Sequence, residues 1–205
     1  MGDGGESRLE WLARGELVGL VAPNREDFVA RWDRYDDPRI GMAAAFQSGG
    51  AAAIFKPPMT REHREWIWDA AGEGLLVPFD IHAVADGRLV GEAGVSRIDW
   101  PRASGDVAAA IFDPADRGRG LGTEAILLVY AYAFDALGMN RLTIRYLSVN
   151  DAVVRAVEKT AALVGARVVG VERDAEWAYG QRRDRLVVEC LRADFPSHPA
   201  TAHLR

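Results

Sequence analysis

The sequence predicts an α/β (α+β) domain with a mixed, mostly antiparallel central sheet flanked by helices. Three observations carry this expectation. Strand-like and helix-like runs alternate along most of the 205 residues. Asp86-Gly87 lies between two β-like runs, a dipeptide suited to a tight antiparallel turn. The stretch "DPADRGRGLGTEA", residues 113–125, sets three glycines and two arginines between a strand-like run and a helix-like run. A glycine-rich loop is costly to order, because glycine loses the most backbone freedom on folding. The functional question is therefore what binds there.

Residues 1–15 read as an N-terminal extension, 16–195 as one domain and 196–205 as a tail. "ELVGLVAP" (16–23) is a strand ended by Pro23. "NREDFVARWDRYDD" (24–37) is a helix capped by Asn24. Residues 38–58, rich in Gly, Ala and Pro, form a connection of weak periodicity. Thr60 caps the helix "REHREWIWDAA", which Gly72 closes. Residues 79–100 form the central hairpin and 105–112 the strand that leads into the glycine loop. The helix 123–138 follows, with Ile126, Tyr130, Ala133, Phe134 and Leu137 on one face and Gly138 at its C-terminal end. Residues 141–149 are a strand. Residues 150–165 are a helix with Val153, Val157, Ala161 and Val164 on one side and Gly165 closing it. The β runs 166–174 and 184–193 complete the order, which is that of a mixed sheet with helices on its faces.

Composition bounds the function. Hydrophobic residues make up 49% and charged residues 27%, ordinary for a soluble globular chain. A formal net charge of -5 offers no basic face for nucleic acid. The sequence has no run approaching the ~20 apolar residues of a membrane span and no basic-then-apolar leader. Cys190 is the single cysteine, so no internal disulfide is expected, which fits a cytoplasmic location. It lies in the strand-like "LVVECL", where packing is expected rather than nucleophilic chemistry. His63, His82, His198 and His203 are scattered, so no metal site is expected.

Three phosphate-binding patterns compete for the loop. A Walker-type loop requires lysine after its last glycine, and here Thr123 follows Gly122 directly. A dinucleotide fingerprint fits Gly120, Gly122 and Ala125. It requires an acid at the end of the next strand, and Tyr146-Leu147-Ser148 supplies none. The third pattern is Arg117-x-x-Gly120-x-Gly122. Glycine amides can wrap a pyrophosphate, and the following helix directs its unpaired N–H groups at the same anion.

This third pattern resembles the acyl-CoA-binding motif of the GCN5-related N-acetyltransferase (GNAT) superfamily, more narrowly its RimJ/RimL-like branch. The similarity extends from "GELVGLVAPNREDF" through "HAVADGRLVGEAGVSRID" to "YAFDALGMNRLTIRYLSVNDAVVRAVEKTAALVGARVVG", roughly residues 16–195. It implies the GNAT acyl-CoA N-acyltransferase fold, acetyl-CoA as co-substrate without a metal, and an acyltransferase acting on an amine. Acetyl-CoA would lie in a gap between two central strands. Ala110, Ile111 and Phe112 would serve the pantetheine arm, an amide there polarising the thioester carbonyl. Arg117, Gly118, Arg119, Gly120, Leu121, Gly122 and Thr123 would hold the pyrophosphate. Asn150 matches the family asparagine that bonds the pantetheine arm; as a residue, it is equally a plain helix cap.

Transfer to an amine requires the amine neutral, hence a base or a water relay to one. Asp106 stands where many relatives carry a glutamate. Glu92 lies on the neighbouring strand, and His82 is a third candidate. Two departures stand out. Val153 replaces a common serine, and Val157 replaces a tyrosine that acts as acid for the thiolate; solvent or Tyr146 remain as proton sources. Trp66, Trp68 and residues 38–58 are expected to border the acceptor site. The partner implied is a small-molecule or peptide amine, with no nucleic acid or membrane and a homodimer left open. A silent acyl-CoA-binding sensor and a transferase of longer acyl groups are the alternatives.

Overall fold

The computed structural model describes residues 9–36, 60–147, 151–178 and 181–196. The strands are β1 (Trp11–Arg14), β2 (Val18–Val21), β3 (Leu76–Ala83), β4 (Leu89–Asp99), β5 (Ser104–Ile111), β6 (Arg141–Leu147), β7 (Arg167–Ala178) and β8 (Gln181–Leu191). The helices are α1 (Arg25–Ala30), α2 (Arg61–Gly72), α3 (Leu121–Asp135) and α4 (Asp151–Val164). The eight strands form one sheet in the order β1-β2-β3-β4-β5-β6-β8-β7. Every neighbouring pair is antiparallel except β5 with β6.

Alternation along the strands sorts the two faces. Phe79, Ile81, Ala93, Val95, Val107 and Ile111 enter one apolar core with Leu128, Val129 and Tyr130 of α3 and Val157 and Val164 of α4. At about 25 cal/mol per Å² of apolar area, this burial is the main stabilising term. Asp80, Glu92 and Ala110 point to the opposite face, which α1 and α2 cover. Positive-φ glycines end two helical stretches as expected, Gly138 at φ 70 and Gly165 at φ 72.

Four local expectations change. Residues 11–14, expected in the lead-in, form β1 against β2, with Ala13 buried. The helix expected over 24–37 is α1 followed by a 3-10 turn, Arg31–Asp36. Tightening there leaves the guanidinium of Arg31 on the sheet instead of in solvent. The Asp86-Gly87 turn is longer than two residues: β3 ends at Ala83 and β4 begins at Leu89, with Gly87 at φ 72. The last hairpin is longer than its expected strands, at 167–178 and 181–191. Among the described residues, no helix is long and apolar enough to cross a membrane.

Candidate active site

The site begins with a split in the sheet. β5 and β6 pair only at Ser104–Arg141, Gly105–Leu142 and Asp106–Thr143. Beyond Asp106 the two strands diverge, although β5 runs to Ile111 and β6 to Leu147. On its other side β5 stays paired with β4, Glu92 opposite Ala110 and Gly91 opposite Ile111, and the Phe112 N–H donates to Val90. Antiparallel alternation therefore turns the backbone groups of Ala108, Ala110 and Phe112 toward β4, and those of Val107, Ala109 and Ile111 toward the split.

The glycine loop closes one end of this split. Asp113 accepts from the Ala115 N–H and starts a short 3-10 turn, Pro114–Asp116. The buried Asp116 receives both terminal nitrogens of Arg88 at 2.7 and 3.0 Å, tying the loop to the β3–β4 hairpin. That pair holds the Asp116 carboxyl below the usual carboxylate range, through the Arg88 hydrogen bonds first and charge second. Arg117 turns back, donating from Nε to the Ile111 carbonyl and from Nη2 to that of Phe112. Arg119 is largely exposed, with Asp116 at 3.7 Å.

Gly118 and Gly120 adopt φ 75 and 91, a region where only glycine is unstrained. A Cβ at Gly118 would meet nothing within 4 Å, so that side of the loop is open. Gly120 occupies the N-cap of α3 and supplies no side-chain cap. The first ladder bond of α3 runs from Glu124 N–H to Gly120 C=O, so the N–H groups of Leu121, Gly122 and Thr123 precede the ladder. Glu124 would oppose an anion at this end of the helix. Its carboxylate is instead turned aside, accepting from the N–H groups of Glu16, Leu17 and Val18 at 3.0, 2.7 and 2.7 Å.

The α1/α2 face carries the charges. Glu92, 2% exposed, accepts on Oε1 from Arg31 Nε at 2.7 Å and Arg64 Nη2 at 2.8 Å. Arg64 also donates to the Phe28 carbonyl and lies 3.5 Å over the Phe28 ring. Asp80, opposite Glu92 on β3, accepts on Oδ1 from Arg31 Nη2 at 2.6 Å. Where the strands diverge, Asp106 pairs with Arg97 at 2.8 Å through Oδ2 and with Arg145 through Oδ1. Arg145 continues to Glu172, which Arg185 holds at 2.6 Å.

The remaining expected residues fall as follows. The Nδ1–H of His82 donates to the Gly87 carbonyl at 2.8 Å, and its ring meets Trp11 edge-on. Tyr146 is buried in the core, and burial raises its phenol above the ordinary value. Val157 is buried there too. Cys190 donates to the Val164 carbonyl, and burial pushes its thiol up to about 12, in keeping with packing. Trp68 packs on Phe28, whereas Trp66 is 67% exposed. Asn150 and the 38–58 connection lie outside the described residues, as does the side chain of Val153.

The expectations missed Arg31, Arg64, Asp80 and the Glu124 clasp. In sequence both arginines look like solvated helix charges. Alternation with Phe79 and Ile81 does signal Asp80, since an acid between two core residues must face the other side of the sheet.

An open strand edge, an uncapped helix N-terminus and a glycine loop together suit an extended ligand that ends in phosphates. The chain belongs to the GNAT acetyltransferase family, whose acetyltransferase (GNAT) domain model matches residues 18–162. Solved structures share its fold. Spermidine N-acetyltransferase from Vibrio cholerae, in complex with CoA and spermine, superposes with a TM-score of 0.71 at 16% identity, covering 88% of this chain and 98% of that one. RimJ from Mycobacterium smegmatis, in complex with CoA-disulfide, gives 0.69 at 21% identity over 91% and 87%. A GCN5-related N-acetyltransferase from Brucella melitensis gives 0.64 at 23% over 90% and 80%. No curated protein sequence matches the chain significantly.

Proposed function

We propose that the protein transfers the acetyl group of acetyl-CoA to a primary amine within a ternary complex. The observation that carries this reading is the divergence of β5 from β6 beside the uncapped N-terminus of α3. When bound, acetyl-CoA supplies an activated acyl carbon and a thiol leaving group. The N–H groups of Leu121, Gly122 and Thr123 and the loop from Arg117 to Gly120 receive the pyrophosphate. Arg119, exposed at the loop tip, adds a charge-assisted bond. The backbone groups of Ala109 and the N–H of Ile111, whose carbonyl accepts from Arg117, hold the pantetheine arm, and the buried side chains of Ala110 and Phe112 pack beside it. Asn150 is assigned to the same arm.

The reaction joins the amine nitrogen to the acyl carbon and leaves sulfur with the broken bond's electron pair. An acceptor entering as an ammonium loses two protons, one to solvent by way of a base and one to sulfur. The base belongs among the carboxylates of the α1/α2 face: Asp106, Glu92 and Asp80. The acceptor class is a small-molecule or peptide amine; the Vibrio cholerae neighbour is, by name, a spermidine N-acetyltransferase. Self-association is part of the reading. β7 is an edge strand, and pairing with the same strand of a second copy would cover its free backbone groups.

Thiol release from acetyl-CoA, followed with spermidine, glucosamine and a tripeptide bearing a free N-terminus, tests the activity. Amine-dependent thiol release with a matching acetylated product is expected. Tight acetyl-CoA binding with no acceptor turned over would favour a silent acyl-CoA sensor.

A further inference from the structure

The three carboxylates of the α1/α2 face are not held alike. Asp106 has a guanidinium on each oxygen, Arg145 on Oδ1 and Arg97 on Oδ2. Glu92 is enclosed by Arg31 and Arg64 and is almost wholly out of solvent. Asp80 is met by a single guanidinium, that of Arg31, on Oδ1. Its Oδ2 makes no hydrogen bond among the described residues, and the side chain as a whole keeps a little exposure. The result is a buried side chain with one oxygen anchored by Arg31 and one without a hydrogen bond among the described residues.

We propose that Asp80 is the proton acceptor for the incoming amine, receiving the proton at Oδ2 through solvent on the α1/α2 face. This rests on the acetyltransferase reading above. An N–H bond of the ammonium breaks, its electron pair stays on nitrogen, and the proton ends on the Asp80 carboxylate. The pair left on nitrogen is the one that attacks the acyl carbon. Asp80 later returns its proton to bulk solvent, so nothing else is consumed. Asp80 lies in the cross-strand row Asp80–Glu92–Ala110, two strands from the split edge. At ~4.8 Å between strands, that span is about 10 Å, so the proton reaches Asp80 by relay and not by direct contact with the amine.

The charges around Asp80 suit the role. Arg31 faces it from the 3-10 turn, Glu92 from β4 and His82 from its own strand. Its neighbour on β2 is Val21, which carries no charge, and Arg64 of α2 is committed to Glu92 and Phe28. Burial outweighs the attraction of Arg31 and lifts the carboxyl from 3.8 to about 6. Such a group is ionised at neutral pH yet binds a proton far more readily than an exposed aspartate. Arg31 fixes the carboxylate through Oδ1 and leaves Oδ2 without a guanidinium.

Turnover of whichever probe amine the wild type accepts is measured against pH for wild type, Asp80→Asn and Asp80→Glu, with acetyl-CoA affinity measured by calorimetry on each. Asp80→Asn is expected to lose about 10²–10⁴-fold in kcat, with acetyl-CoA affinity nearly unchanged. The wild-type rate should rise through a limb near pH 6, absent in Asp80→Asn and partly restored in Asp80→Glu. In the wild type, carboxyl carbon NMR should show one aspartate titrating near 6, and Asp80→Asn should remove it. Wild-type kcat in Asp80→Asn with acetyl-CoA binding intact would overturn Asp80 alone, as would an Asp80 carboxyl titrating in the ordinary range. Failure of the wild type to bind acetyl-CoA would instead sink the underlying reading.

Discussion

Asp80→Asn is expected to make the fold more stable at neutral pH, the reverse of what deleting an ion-pair partner does. The side chain is 7% exposed, and desolvation outweighs Arg31 in lifting its carboxyl from 3.8 to about 6. A rise of about two pH units, at roughly 1.4 kcal/mol each, amounts to about 3 kcal/mol held against folding while the group is ionised. Asparagine keeps the size and offers Arg31 an acceptor oxygen without the charge. Between the ordinary and the raised value the native state binds more protons than the unfolded chain. Stability from this group is therefore fully present below 3.8 and lost as pH rises through about 6. Going from about pH 7.5 to about pH 5, it adds about 1.4 kcal/mol to the wild type and nothing to the variant. Urea unfolding of both proteins across that range reads the difference directly. The variant should lead by about 1–3 kcal/mol near neutral pH, and its lead should shrink by about 1.4 kcal/mol near pH 5. A variant less stable at every pH, by a constant margin, would refute the reasoning and make Asp80 a structural ion-pair partner.

Other perturbations reach the loop and the core. Gly120→Val places a side chain at φ 91 and sets its Cβ 3.3 Å from Leu17. A loss of about 1–2 kcal/mol and a marked fall in acetyl-CoA affinity are expected, read by urea unfolding and calorimetry. Glu124→Gln weakens the clasp on Glu16, Leu17 and Val18. A loss of about 1–3 kcal/mol is expected, with faster hydrogen exchange confined to those amides. Arg88→Ala removes both hydrogen bonds from the buried Asp116, so amides 113–120 should exchange faster and acetyl-CoA bind more weakly. The Cys190 thiol, buried and raised to about 12, should resist a thiol reagent in the native state and react only as the chain unfolds.

Most of the sheet was legible because its strands are long and alternate clearly. β1 was not, since four residues beside a glycine carry too little periodicity, and only pairing with β2 defines them. The glycine loop was legible as a turn leading into a helix without a side-chain cap, because three glycines stand directly before a helix-like run. What holds the loop was not, since Arg88–Asp116 and the Glu124 clasp join residues far apart in sequence. In sequence Asp106 and Glu92 are candidate bases with no visible partners. Their distinction lies in which arginines reach them, and that depends on the 3-10 turn carrying Arg31 and on Arg64 pointing inward from a helix that looks solvated.

Calorimetric titration of the wild type with acetyl-CoA, set beside NAD and beside Gly120→Val, bears most directly on the role of the split sheet and its loop. Saturable one-to-one binding of acetyl-CoA is expected, absent with NAD and strongly weakened in the variant. Acetyl-CoA present at ~100 times its dissociation constant should also add about 2.7 kcal/mol to stability. No heat with acetyl-CoA, or equal affinity in wild type and Gly120→Val, would contradict the assignment of this cleft.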